Sequence, residues 1–176
     1  GLAAGKFGQR AEHALDQLGA EEQEKRDGRL ELMKGRTKIL LEIKRRNKNQ
    51  YAGLEQQIID MIHEMDMVDQ VVIQSFDDQA LFTVHQLDPS IRIEKLLFCK
   101  LPFGMCFDGK ISRFTFEKYK MCASFNFMYK FINQNEIDKL HAEGFEVKVW
   151  TVDDPSKLNY KADGVITNRP DLFLNK

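Results

Sequence analysis

The chain has 176 residues and a net charge of −1, with 30% charged and 43% hydrophobic residues. That length suits one domain with a real core, and the balance is that of a soluble globular protein. The near-zero charge gives no global electrostatic case for a nucleic-acid partner, the one basic cluster being local: Lys34, Arg36, Lys38, Lys44, Arg45, Arg46 and Lys48. No apolar run approaches the roughly 20 residues that span a bilayer, and the N-terminus lacks the apolar stretch of a signal peptide. A soluble protein is expected, cytoplasmic or secreted, with the compartment left open. Cys99, Cys106 and Cys122 are odd in number and show no CxxC spacing. They read as buried or free thiols, with neither a disulfide framework nor a zinc site.

In chain order, residues 1–37 form a lead segment of irregular and helical character. Gly1, Gly5 and Gly8 open it, and Ala11, Ala14, Leu15 and Leu18 recur at helical spacing over 9–18. The charged run from Glu21 to Asp27 reads as a solvated helix end or loop, and Leu30, Leu32 and Met33 as a weak apolar patch. A second segment, 38–176, begins with Lys38-Ile39-Leu40-Leu41-Glu42-Ile43-Lys44, a strand pattern. Residues two apart in a strand share a face, so Glu42 and Lys44 point one way and Leu41 and Ile43 the other. Opposite charges closing an apolar strand fit an α/β active site at strand C-termini; they also fit a salt bridge on a surface strand end.

Leu54, Ile58, Ile59, Ile62 and Met65 then predict a helix of about 15 residues with one buried stripe, His63 lying on its surface. Val71 to Phe76 is a short buried strand. Asp77 is placed to cap a helix carrying Ala80, Leu81, Val84, His85 and Leu87, which Asp88-Pro89 ends. Ile91 to Cys99 is another β-rich run. Residues 100–120 are irregular and Phe-rich (Phe103, Phe107, Phe114, Phe116), a local satellite core or a lid. Met121 to Phe127 predicts a short strand, Asn133 or Asn135 the cap of a helix through Ile137, Leu140 and His141, and Gly144 its end. Phe145 to Val152 is a strand, Asp153-Asp154-Pro155 a helix start, and Gly164 to Thr167 a last strand. Strands alternating with helices at roughly 25–35-residue spacing predict βαβ units in a parallel sheet. Right-handed crossovers would put the C-terminal ends at Glu42, Lys44, Phe76 and Trp150 on one rim.

Four stretches in this order, Leu-Glu-Ile-Lys (41–44), Val-Val-Ile-Gln-Ser-Phe-Asp (71–77), Lys-Val-Trp-Thr-Val-Asp (148–153) and Asp-Gly-Val-Ile-Thr-Asn-Arg-Pro-Asp (163–171), resemble the C-terminal part of the glycerophosphodiester phosphodiesterase family. The resemblance implies an α/β fold, a TIM-type (β/α)8 barrel of usual length about 250 residues, of which this chain would hold strands four to eight. It implies metal-dependent hydrolysis of a glycerophosphodiester to an alcohol and glycerol 3-phosphate. Glu42 would be a ligand of a divalent cation (Ca²⁺ or Mg²⁺), Lys44 the phosphate contact, and Trp150 and Phe76 walls of the substrate pocket. A cation of that kind takes hard oxygen ligands and polarises a phosphoryl oxygen, and a nearby ammonium offsets charge developing in the transition state.

The family's His-Arg-Gly, Glu-x-Asp and His-Asp strands are not found ahead of Leu-Glu-Ile-Lys here. His13 precedes Ala14-Leu15 in a helical pattern and does not correspond to them. The catalytic histidine pair is therefore unassigned. Residues 1–37 are too few for three βα units at about 25–30 residues each. The expectation is a piece of a longer enzyme. Other readings are a phospholipase D-type lyase on lipid substrates, or a non-catalytic half-barrel that forms homo-oligomers through open strand edges.

Overall fold

The computed structural model describes residues 32–44, 53–98 and 116–173, and the chain divides into two units between Arg92 and Ile93. The helix expected over 9–18, the charged run after it, Cys99, Cys106 and the Phe-rich stretch as far as 115 lie outside the described residues.

The first unit is built on two parallel strands, β1 (Ile39–Ile43) and β2 (Val71–Ser75), in a register that sets Leu41 against Ile73 and Glu42 against Gln74. Between them runs α1 (Leu54–Glu64), whose Leu54, Ile58, Ile59 and Ile62 are buried at the predicted helical spacing. It is shorter than its apolar pattern suggests. Met65 falls in the C-cap, and Asp66 turns the chain at φ 52°. The next helix, α2 (Asp78–Leu87), starts where the sequence places it: the Asp77 carboxylate accepts from the Gln79 N–H at 3.0 Å. That bond satisfies one of the orphan donors of a helix N-terminus, a cap contribution of about 1 kcal/mol. Among the described residues, the Gln70 side chain ties residues 33–37 to the start of β2. Gln70 accepts from the Gly35 N–H at 2.7 Å and donates to the carbonyls of Met33 and Thr37.

The second unit carries β3 (Arg92–Leu97, the division falling after its first residue), β4 (Ser124–Met128), β5 (Glu146–Trp150) and β6 (Gly164–Val165). The pairs β3–β4, β4–β5 and β5–β6 are all parallel, as the βαβ spacing predicts. Phe125 and Phe127, both fully buried, point to one face. There Phe125 meets Phe145 at 4.7 Å between ring centroids and Tyr119 at 5.6 Å, with Phe116 packed on the same cluster. The described end of the Phe-rich stretch is therefore core. Helix α3 (Gln134–Ala142) begins with a full capping box: Asn133 accepts from the Glu136 N–H, and the Glu136 carboxylate accepts from the Asn133 N–H at 2.9 Å. It ends at Gly144, whose φ of +88° only glycine adopts at little cost.

Six strands are present among the described residues, as the chain-order reading expects and one more than the label of strands four to eight would supply. Two expectations need correcting. The crossover from β5 to β6 contains no α-helix. After Asp154 caps the Ser156 N–H, the chain makes only the short 3-10 turn Pro155–Lys157. Leu158, Asn159 and Tyr160 offer no helical apolar stripe to continue it. The last strand is two residues, although Ile166 N–H still reaches the Val149 carbonyl at 2.8 Å.

Candidate active site

The C-terminal end of β1 carries Glu42 within the strand and Lys44 just past it, both half-buried. Strand alternation gives them one face. Ile43, between them, is 3% exposed and turned the other way into the core. Their neighbours are set by β2. Glu42 stands opposite Gln74 and Ile43 opposite Ser75, so Lys44 and Phe76 each follow the last paired residue of adjacent parallel strands.

Ser75 makes this end rigid. Its buried hydroxyl donates to the Ile43 carbonyl at 2.7 Å and accepts from the Asp77 N–H at 3.0 Å. One side chain thus links the end of β1, the end of β2 and the cap of α2, and Phe76 sits between two pinned residues. Sequence reading quoted Ser75 as part of a motif without giving it a role. Its signal was a small hydroxyl at a strand-to-cap junction.

Trp150 ends β5 in the second unit, also half-buried. Its indole N–H donates to the Asn126 carbonyl at 2.8 Å, and its ring lies against Phe98 at 6.0 Å, which in turn meets Phe131 edge-on at 5.2 Å. The strand ends β5 and β6 are joined by Asp153. Its carboxylate accepts from Asn168 N–H at 2.8 Å, from the Asn168 amide at 3.0 Å and from the Thr167 hydroxyl at 3.2 Å. The Asn168 side-chain and backbone bonds hold the Asp153 carboxyl below its usual range. Beneath Trp150 lies a group that sequence reading missed, the fully buried Glu94 and Asn126 with Lys148 at 6% exposure.

The structure thus brings Glu42, Lys44 and Phe76 to one end of the first unit and puts Trp150 at a strand end of the second. His63 and His141 have structural partners: His63 Nε2 is 2.6 Å from an Asp88 carboxylate oxygen, and His141 Nε2 is 2.8 Å from one of Asp163. Among the described residues no group of three or more His, Cys, Asp or Glu side chains could hold a metal ion. Glu42 alone supplies too few oxygens for a divalent cation that takes six or more, so these residues do not make a metal site by themselves.

Parallel strands alternating with helices define an α/β protein, a class whose sites lie at the C-terminal ends of the strands. A sequence profile of the Glycerophosphoryl diester phosphodiesterase family matches residues 22–172; the chain belongs to that family. It is 28% identical over 141 residues to a glycerophosphodiester phosphodiesterase of Bacillus subtilis (strain 168), an alignment taking in 74% of this chain. The chain spans about half (46%) of that relative's length. Among solved structures, a putative glycerophosphodiester phosphodiesterase from Galdieria sulphuraria superposes with a TM-score of 0.71 at 20% identity, over 92% of this chain and 70% of that one. A phosphodiesterase from Oleispira antarctica in complex with the product sn-glycerol-3-phosphate gives 0.55 at 20% identity, over 77% of this chain and 53% of that one. These likenesses show a shared barrel-type fold. No helix among the described residues is long and apolar enough to cross a membrane.

Proposed function

We propose that this chain carries the phosphate-contacting part of a glycerophosphodiester phosphodiesterase site, which hydrolyses the diester to an alcohol and glycerol 3-phosphate. The observation that carries the reading is the pairing of Glu42 and Lys44 on one face at the end of β1, half-buried and next to the pinned Phe76. In this reading the Lys44 ammonium lies against the phosphate and offsets the charge that grows on its oxygens as water attacks phosphorus and the alcohol oxygen departs. Phe76 gives an apolar wall at this end of the first unit, and Trp150, in the second unit, is carried over from the family as a glycerol contact. Glu42 would be one oxygen ligand of the family's divalent cation, Ca²⁺ or Mg²⁺, with the remaining ligands and the acid and base groups unassigned.

The test is hydrolysis of glycerophosphocholine by the 176-residue chain with added Mg²⁺ or Ca²⁺. Turnover that Glu42→Ala abolishes is the expected result. No turnover at any metal concentration means that this chain alone is not the enzyme. Phosphorus NMR of the product separates hydrolysis, which gives the monoester, from lyase chemistry, which gives a cyclic phosphate. The mass of the chain in solution tests assembly through strand edges, which predicts a multiple of 20.5 kDa.

A further inference from the structure

The second unit holds a polar group that the proposed chemistry does not use. Glu94 on β3 accepts with one carboxylate oxygen from the Asn126 amide at 2.9 Å and with the other from the Lys148 ammonium. Asn126 in turn accepts from the Ser124 hydroxyl at 2.8 Å. Three strands are tied through one carboxylate, and Glu94, Ser124 and Asn126 are wholly buried. Charges so placed are an expensive way to hold strands together, since apolar residues of similar volume often stabilise as well or better. Their place in the fold suggests another use.

Asn126 and Lys148 are register partners on β4 and β5, and the next pair on the same face toward the strand ends is Met128 and Trp150. The Trp150 N–H is bonded to the carbonyl of Asn126, the residue whose side chain Glu94 holds. A Cβ on Gly164, the register partner of Lys148 on β6, would stand 3.0 Å from the Lys148 Cγ, so the missing side chain of Gly164 leaves room for the stem.

We propose that Glu94, Asn126 and Lys148 are positioning residues for Trp150, fixing the height and tilt of the indole at the end of β5. The inference rests on the reading above in one respect, that Trp150 forms a wall of the substrate pocket. The device acts from below the ring. Glu94 holds the two strands that carry the indole and its hydrogen-bond acceptor in one register, and Phe98 supports the ring from the side.

Trp150 is the one tryptophan among the 176 residues, so the fluorescence of the chain reports on this side chain alone. The variant to make is the double substitution Glu94→Leu with Lys148→Met, which keeps volume and leaves no lone buried charge. A positioning role predicts a cooperative thermal transition like the parent's, with Trp150 emission moved to longer wavelength and quenched more readily by acrylamide. It also predicts affinity for sn-glycerol 3-phosphate weakened about tenfold, read from the same fluorescence, as for lost ground-state binding contacts. A folded double variant with the parent's emission and quenching overturns the proposal. If the double variant shows no cooperative transition, Glu94→Gln decides by the same two readouts: altered emission supports the role and unaltered emission overturns it. The pocket reading fails separately. Glycerol 3-phosphate that leaves the parent's emission unchanged removes Trp150 from the substrate wall, whereas the positioning readout is taken without ligand.

Discussion

Each unit carries a glutamate and a lysine, and the two pairs are opposite in kind. Glu42 and Lys44 are two residues apart, half-buried at and just past the C-terminal end of β1. Glu94 and Lys148 are 54 residues apart, on β3 and β5, and buried against each other with side-chain exposures of 0% and 8%. The first pair keeps access to solvent, so its charges can meet a ligand at modest desolvation cost. The second has given up its hydration, and that cost is recovered only while both partners stay charged and hydrogen-bonded. A carboxylate and an ammonium can thus be left open to a ligand or closed on each other in one chain, and burial is what separates the two cases.

The largest expected effect comes from breaking the buried pair on one side. Lys148→Met takes the Lys148 ammonium away from the fully buried Glu94 carboxylate and should cost about 3–5 kcal/mol of stability, measured by denaturant unfolding. A loss below about 1 kcal/mol, the range of exposed pairs, would mean that water reaches the site and would erase the contrast between the pairs. The mirror experiment is Lys44→Ala. It should lower kcat by about 10²-fold or more, as for loss of one charge-stabilising group, while stability moves by no more than about 0.5 kcal/mol. A Lys44→Ala chain that unfolds like Lys148→Met would place Lys44 among the structural charges.

How much of this was readable in advance follows the same division between local and distant. The Glu42–Lys44 face was legible because strand alternation is a local rule, and the Asp77 and Asn133 caps were legible because a cap contacts residues two or three positions on. The buried pair was not. In Arg92-Ile93-Glu94-Lys95-Leu96-Leu97 a charge falls on each face, so period-two patterning gives no polar side. Only the registers of β3 with β4 and of β4 with β5 bring Asn126 beside Lys148 and within reach of Glu94. The helix expected after Asp154-Pro155 failed for the converse reason: a good start signal was present, with no apolar stripe behind it.

A smaller effect probes the space around the buried lysine. At Gly164 the backbone tolerates a side chain, but a new Cβ would lie 3.0 Å from Lys148 Cγ and 3.3 Å from Cδ. Because Glu94 holds the far end of that side chain, the stem cannot swing aside freely. Gly164→Ala should therefore cost about 1–3 kcal/mol, the range for overpacking. In the Lys148→Met background, where the end is untethered, the cost should shrink. Equal costs in both backgrounds, compared by a double-mutant cycle, would show that the tether does not matter.

The smallest effect concerns an exposed pair in the second unit, and it sharpens the contrast with the buried one. Asp163 is 39% exposed, and one of its oxygens accepts from the Val147 N–H at 2.7 Å and lies 2.8 Å from His141 Nε2. Burial pushes its carboxyl up, but the Val147 bond and the His141 contact outweigh this, so its pKa lies below the ordinary 3.8. A carboxylate with a lowered folded-state value binds protons more readily in the unfolded chain. Its contribution is therefore fully present above the unfolded value and is lost as pH falls through the folded one. With this exposure the contribution should be at most about 1 kcal/mol and should weaken with salt. Measured against Asp163→Asn, the parent should keep a small, level advantage above about pH 5 that closes as the solution is taken below the ordinary carboxylate range. An advantage that grows on acidification would have the wrong sign for a carboxylate held in its charged form, and would mean that Asp163 is stabilised as the neutral acid.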